Sequence, residues 1–257
     1  MKVVLLAGGY GTRLSEETEN KPKPLIDIGP MPIIWHIMKN YAGFGYVDFI
    51  VCLGYKGDKI KEFFHQYFLR HSDVTLHLGD NSMEVHETFS EKWNITLVDT
   101  GLDSYTGGRV KRVQKYVGDH PFMLTYCDGL SDVDISSLVA FHQKHGRKAT
   151  MTAVQPPSRF GLIQCDSTGL VHQFREKPME ENTWINGGYF VLEPSVFSFI
   201  QDDQTIWERD PLEKLVEEKQ LMVFPHKGYW QCMDTLRDKQ LLEQEWETGR
   251  AAWKNWD

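Results

Sequence analysis

The stretch Val3-Val4-Leu5-Leu6-Ala7-Gly8-Gly9-Tyr10-Gly11-Thr12-Arg13-Leu14 decides the fold. Its first five residues form a continuous apolar run, which suits a strand buried on both faces of a parallel sheet. The glycines that follow let the backbone approach a ligand closely and aim several N–H groups at one point, as a polyanion requires. A tight turn without a ligand is the bland alternative, and a strand followed by a glycine loop does not by itself exclude it. Two familiar phosphate loops fail on the letters. There is no G-x-x-x-x-G-K-[ST] string, and the G-x-G-x-x-G fingerprint begun at Gly9-Tyr10-Gly11 meets Leu14 where its third glycine belongs. A nicotinamide oxidoreductase is therefore not supported.

Outward from the loop the same rhythm repeats. Pro32 opens a helical pattern through Ile33, Ile34, Ile37, Met38 and Tyr41 that stops at Gly43 and Gly45. An apolar run over 49–53 predicts a second strand, and Ile60, Phe63, Phe64, Tyr67 and Phe68 recur at helical spacing. Strand, helix, strand, helix is the βαβ order of a layered α/β domain. The rhythm continues through strands at 74–78 and 95–98, a basic helix near 108–116 and a strand over 122–126. Asp134 is placed to cap a helix over 135–145. From Ala149 onward, short strands at 150–154, 162–164, 171–174 and 188–192 predict a β-rich second half, closed by a charged helix over 235–248. No repeat or linker interrupts the chain, so one domain is expected over 1–257.

Composition narrows the function. The 257 residues carry 28 Lys plus Arg against 36 Asp plus Glu, a formal charge of -8. Such a field repels polyphosphate chains, which disfavours a nucleic-acid scaffold. Cys52, Cys127, Cys165 and Cys232 are scattered, with no C-x-x-C pair, and read as thiols of a reducing compartment. No apolar run nears the roughly 20 residues of a membrane span. The N-terminal run is too short for a signal peptide and Arg13, Glu16, Glu17 and Glu19 follow at once, so a cytoplasmic location is expected. The ten histidines lack a partner at catalytic spacing and read as structural or solvent-facing. No G-x-S-x-G elbow is present, which leaves a serine hydrolase unsupported.

Charge is local where it matters. Arg13 closes the loop, and Lys21-Pro22-Lys23-Pro24 follows, its prolines restricting the backbone around Lys23. Together Arg13, Lys21 and Lys23 read as a triphosphate cradle, with a solvated charged loop as the alternative. Asp128 follows the strand at 122–126, where carboxylates point into the crevice of an α/β sheet; a turn Asp before Gly129 reads equally well. Asp234, in Trp230-Gln231-Cys232-Met233-Asp234-Thr235, is either a ligand or the N-cap of the last helix.

GGYGTRL followed by KPKP resembles the sugar-1-phosphate nucleotidylyltransferases. The strings KPKPLIDIGPMPIIWHIMK, NITLVDTG, TGGRVKRV, FREKP, INGGYFVL and WQCMDTLRDK are similar, in order along nearly the whole chain, to the cytidylyl-transferring branch of that family. The resemblance implies an α/β fold with a Rossmann-like mixed, mostly parallel sheet flanked by helices. It also implies a nucleotide-binding half over about 1–130 and a β-rich, sugar-binding half over about 131–257. The implied reaction is CTP plus α-D-glucose 1-phosphate giving CDP-glucose and pyrophosphate, feeding CDP-deoxysugar and O-antigen synthesis. The implied enzyme is a homo-oligomer without nucleic-acid or membrane partners. A relative using another triphosphate or sugar is the alternative.

The same resemblance implies roles residue by residue. Leu6, Ala7, Gly8, Gly9, Tyr10, Gly11, Thr12, Arg13, Lys23, Ser104, Arg109 and Cys127 would bind the nucleotide. Lys23 would hold the α-phosphate and the incoming phosphate, Arg13 would neutralise the departing pyrophosphate, and Asp128 with Asp234 would hold Mg2+. Glu176, Lys177, Asn186 and Gly187 would bind the sugar phosphate. Two positions depart from the family pattern. Cys127 stands where glycine commonly precedes the first aspartate, and Tyr10 stands in the loop where a smaller aliphatic residue is usual, either stacking near the base or pointing outward. A catalytically silent sugar-nucleotide sensor would be expected to lose Lys23 or an aspartate, and this chain keeps all three.

Overall fold

Seven strands make the central sheet: β1 (Val3–Leu6), β2 (Asp48–Leu53), β3 (Asn94–Asp99), β4 (Phe122–Tyr126), β5 (Ala149–Val154), β6 (Ile185–Leu192) and β7 (Leu221–His226). The computed structural model describes residues 1–155, 162–175 and 183–256. Across the sheet the order is β7-β5-β6-β4-β1-β2-β3. Every pairing is parallel except those of β6, which runs antiparallel to both its neighbours, β5 and β4. The sheet is therefore mixed and mostly parallel, as the sequence predicts.

Period-two alternation explains the apolar runs. Val3, Leu5, Phe49, Val51, Leu53 and Met123 enter one core cluster, while Val4, Ile50, Cys52, Phe122 and Leu124 enter the other. Both faces are dry because helices cover both. On the first side lie α1 (Ile33–Gly43), α2 (Gly57–Arg70), α4 (Ile135–His145) and α6 (Leu236–Glu247), which contribute Ile37, Ile60, Leu138 and Leu242. On the second lie α3 (Thr106–Arg112) and α5 (Asp210–Glu217), through Val110 and Leu215. Asp134 caps α4 by accepting from the Ser137 N–H at 2.9 Å.

Three expectations change. The strand read at 74–78 lies at Ser72–His77 and stays out of the sheet, pairing antiparallel with Ser82–Thr88 across a turn at Asn81, whose φ is 56°. The basic helix begins at Thr106 and breaks at Val113, with a further turn over Gln114–Val117. Strands at 162–165 and 171–175 pair with each other in a separate ribbon. The sequence reading missed β7, an edge strand in which Pro225 needs no ladder donor.

The C-terminal segment closes on α1. The rings of Trp246, Trp253 and Trp256 lie 4.9, 6.2 and 6.0 Å from His36, which is fully buried. His36 Nε2 donates to the Ile28 carbonyl at 2.8 Å. Burial pushes its pKa down to about 4, so the ring is neutral.

Candidate active site

The chain leaves β1 for β2 and β3 on one side, then returns to β4 on the other. Such a reversal opens a crevice beyond the C-terminal strand ends, where open α/β sheets bind ligands. A cleft of about 920 Å³ lies there, lined from Leu6 to Gly11, by Lys23 and by Cys127 and Asp128, with Ser104, Arg109, Asn186 and Asp234 also on its walls.

The glycines of the loop have particular tasks. A Cβ at Gly8 would lie 2.4 Å from Arg109 Nη1, and Gly11 takes a φ of 65° beside the Lys23 side chain. Tyr10 is exposed at the rim, its ring 5.2 Å from that of Tyr55. Thr12 is exposed, outside the lining, and opens a short 3-10 turn, Thr12–Leu14. The Arg13 side chain lies outside the described residues. Lys21 does not join the cradle: it pairs with Asp27 at 2.6 Å on the surface.

Lys23 is the centre of the site. Its ammonium donates to Asp128 Oδ2 at 2.8 Å and to Asp234 Oδ1 at 2.7 Å. Burial alone would lower its pKa, but the two aspartates outweigh burial and hold it above the usual lysine value. The aspartates, remote in sequence, meet because Gly129–Ser131 and Trp230–Cys232 pair as antiparallel strands. Just beyond the pair, the Met233 N–H donates to the Asp128 carbonyl at 2.7 Å. The cap alternative for Asp234 falls. Thr235 caps α6, its hydroxyl accepting from the Asp238 N–H and Asp238 answering in a capping box.

Cys127 is nearly inaccessible and packs into the first core cluster. Burial, reinforced by Asp128, pushes its thiol up, so it stays neutral. Cys52 is likewise buried, and its thiol rises to about 12 through burial. Cys52, Cys127 and Cys232 are free thiols, and the side chain of Cys165 lies outside the described residues.

Ser104 and Arg109 are both buried and both line the cleft. The Arg109 guanidinium donates to the carbonyls of Leu53, Gly101 and Leu102 and to Thr100 Oγ1, at 2.7–3.1 Å. Its charge therefore braces the 99–102 turn from behind the glycine loop. Asn186 lines the cleft, while the Gly187 carbonyl accepts from Trp230 Nε1 at 2.8 Å. Glu176 and Lys177 lie outside the described residues. The sequence reading missed Tyr126 and Glu208 as site residues, and both line the cleft. Tyr126 carried a signal, since it ends β4 two residues before Asp128; Glu208 carried none.

Charge defines what the cleft accepts. Among its described lining residues, Asp103, Asp128, Asp234 and Glu208 face only Lys23 and Arg109 as cations. Asp128 and Asp234 both accept from the Lys23 ammonium, and carboxylates shared with phosphate oxygens suit a hard divalent ion. Among the described residues no cluster of three or more His, Cys, Asp or Glu side chains forms a cage, so phosphate would complete the ligand set.

The family model for nucleotidyl transferase matches residues 2–244. The chain is 56% identical over 258 residues to a glucose-1-phosphate cytidylyltransferase of Salmonella typhi, covering 100% of both. It is 32% identical to a mannose-1-phosphate guanyltransferase of Candida albicans over 94% of this chain and 63% of that one. A UDP-glucose pyrophosphorylase crystallised with UDP-glucose superposes with a TM-score of 0.69 over 97% of this chain and 99% of that one. At 17% identity that likeness is one of fold alone. With a glycine loop at the end of β1, a lysine shared by two aspartates and a family match over almost its whole length, the chain belongs to the nucleotidyl transferase family.

Proposed function

We propose that the protein transfers a cytidylyl group from CTP to α-D-glucose 1-phosphate, releasing pyrophosphate and forming CDP-glucose. The observation that carries this is the Lys23 ammonium held between Asp128 and Asp234 in the cleft, in a chain that aligns end to end with a cytidylyltransferase. The nucleotide-binding half, about 1–130, supplies the loop and Asp128; the half from about 131 to 257 supplies the sugar side and Asp234.

The chemistry is an in-line displacement at phosphorus. A phosphate oxygen of glucose 1-phosphate attacks the α-phosphorus of CTP, the bond from that phosphorus to the bridging oxygen breaks, and the electron pair leaves on pyrophosphate. No covalent enzyme intermediate is needed, so the protein contributes positioning and charge. Lys23 turns from the aspartates to the α-phosphate and the incoming phosphate, and Arg13 meets the leaving pyrophosphate. The glycine loop offers its N–H groups to the triphosphate, while Ser104 and the turn braced by Arg109 shape the nucleotide wall. Asp128 and Asp234 would hold Mg2+, which when bound supplies neutralising charge on the phosphate oxygens. Glu176, Lys177 and Asn186 receive the sugar phosphate. The same reading extends to a cytoplasmic homo-oligomer; no described helix is long and apolar enough to cross a membrane.

The test is a screen of CTP, UTP, dTTP and GTP with glucose 1-phosphate, reading pyrophosphate release. CTP is expected to be turned over far faster than the others. Equal or faster turnover with another triphosphate overturns the cytidylyl assignment and favours the related transferase.

A further inference from the structure

A polar chain of side chains lies on the cleft wall away from the lysine. Glu208 accepts from the Tyr126 hydroxyl at 2.5 Å through one oxygen and from the Thr106 hydroxyl at 2.6 Å through the other. Asn186 Nδ2 donates to the same Tyr126 oxygen at 3.2 Å, and Asn186 Oδ1 accepts from the Gly188 N–H at 2.8 Å. Glu208 thereby ties together the start of α3, the end of β4 and the start of β6. It is itself held firmly: the neighbouring Trp207 is fully buried, and the Trp207 N–H donates to Thr106 Oγ1 at 2.9 Å.

The direction of each bond follows from the donor inventory. An ionised carboxylate only accepts, so Tyr126 commits its one proton to Glu208 and offers lone pairs alone to Asn186. Burial and the Glu208 charge both hold the Tyr126 phenol protonated by raising its pKa. Tyr126 and Gly188 then hold the Asn186 amide one way round from its two ends, its nitrogen donating to the Tyr126 oxygen and its oxygen accepting from the Gly188 N–H. One amide hydrogen and one carbonyl lone pair remain on a residue that lines the cleft. A donor with an acceptor suits the hydroxyls of a sugar ring, each of which both gives and takes a hydrogen bond.

We infer that Glu208 is a positioning residue for hexose recognition, orienting the Asn186 amide through Tyr126 so that it reads a hydroxyl of the sugar. This rests on the sugar-1-phosphate reading above. Glu208→Gln, Tyr126→Phe and the double variant separate it from a merely structural role. The readouts are KM for glucose 1-phosphate, KM for CTP, kcat, and CDP-glucose affinity by calorimetry. Each single change is expected to raise the glucose 1-phosphate KM about tenfold, the scale of losing one hydrogen bond to a charged group, with smaller changes in CTP KM and kcat. The double variant is expected to be no worse than the worse single, because both act on one chain of bonds. Equal rises in both KM values, no rise in either, or additive losses overturn the inference while leaving the proposed function standing. If Glu208→Gln does not fold, Tyr126→Phe decides alone, by showing or lacking the same KM split. A wild-type protein that fails to turn over CTP with glucose 1-phosphate overturns the function and this inference with it.

Discussion

Replacing Lys23 with alanine separates the role of its charge in the resting protein from its role in the reaction. In the resting protein the ammonium lies 2.7–2.8 Å from two carboxylates, so Lys23→Ala removes the cation that Asp128 and Asp234 share. Breaking a fully buried pair costs about 3–5 kcal/mol. Here the aspartate side chains are 35% and 25% exposed, and solvent screening reduces the cost to about 1–2 kcal/mol. For a chain of this length that lowers Tm by about 2–8 °C. Mg2+ can take the vacated place, and at ten times its Kd it restores about 1.4 kcal/mol. In the wild type the lysine already occupies that position, so added Mg2+ is expected to raise Tm less. Turnover behaves oppositely: losing a preorganised charge at the reacting phosphate is expected to lower kcat by about 10²–10³, which Mg2+ does not repair. The assays are thermal melting with and without Mg2+ and pyrophosphate release under saturating substrates. Near-normal turnover refutes the catalytic role. A Mg2+-dependent gain in Tm as large in the wild type as in the variant refutes the idea that ammonium and metal share one place.

Three further expectations follow from particular contacts. Asp128→Asn and Asp234→Asn are each expected to lose most activity with Tm little changed, because Thr235 caps α6, and the double variant is expected to lose little more than the worse single; retained activity and unchanged Mg2+ dependence in Asp234→Asn would remove it from the metal site. Arg109→Lys puts one ammonium where a planar fork reaches four acceptors, and is expected to cost about 2–4 kcal/mol in urea unfolding; a loss under 1 kcal/mol contradicts the bracing role. His36 titrates at about 4 in the folded protein against the ordinary 6.5, so between these values the unfolded chain binds a proton that the folded one refuses. Stability is therefore full above about 6.5 and falls as pH drops towards 4, by about 2 kcal/mol at pH 5; His36→Gln should flatten that slope, and an unchanged slope assigns it to other groups.

The sequence by itself determined the layers of this protein and marked its glycine loop. A short apolar run closed by glycines, such as residues 3–7, suits a strand sandwiched between helices, and the repeating helix signals supplied those helices. Lys23 between two prolines was readable for the same reason: stiffness and charge are local properties. What lay beyond the letters depended on contacts between distant segments. The pairing of Gly129–Ser131 with Trp230–Cys232 brings Asp234 to Asp128, and neither strand has a pattern strong enough to announce itself. Spacing left Asp234 divided between cap and ligand; only the capping box at Thr235 and Asp238 removed the cap reading. Arg109 read as one cation of a basic helix, yet its guanidinium is drawn into four oxygens of the chain by a turn that residues 99–102 form only in the folded state. Lys21 belonged to the same dense run of charge as Lys23, but backbone direction sends it to Asp27 on the surface. Glu208 carried no local signal, because a lone glutamate in a loop acquires meaning only from the hydroxyls that converge on it. Periodicity and turn chemistry act over a few residues and can be read in the chain; convergence of hydrogen-bonding groups is a property of three-dimensional distance, and the tertiary structure alone supplies it.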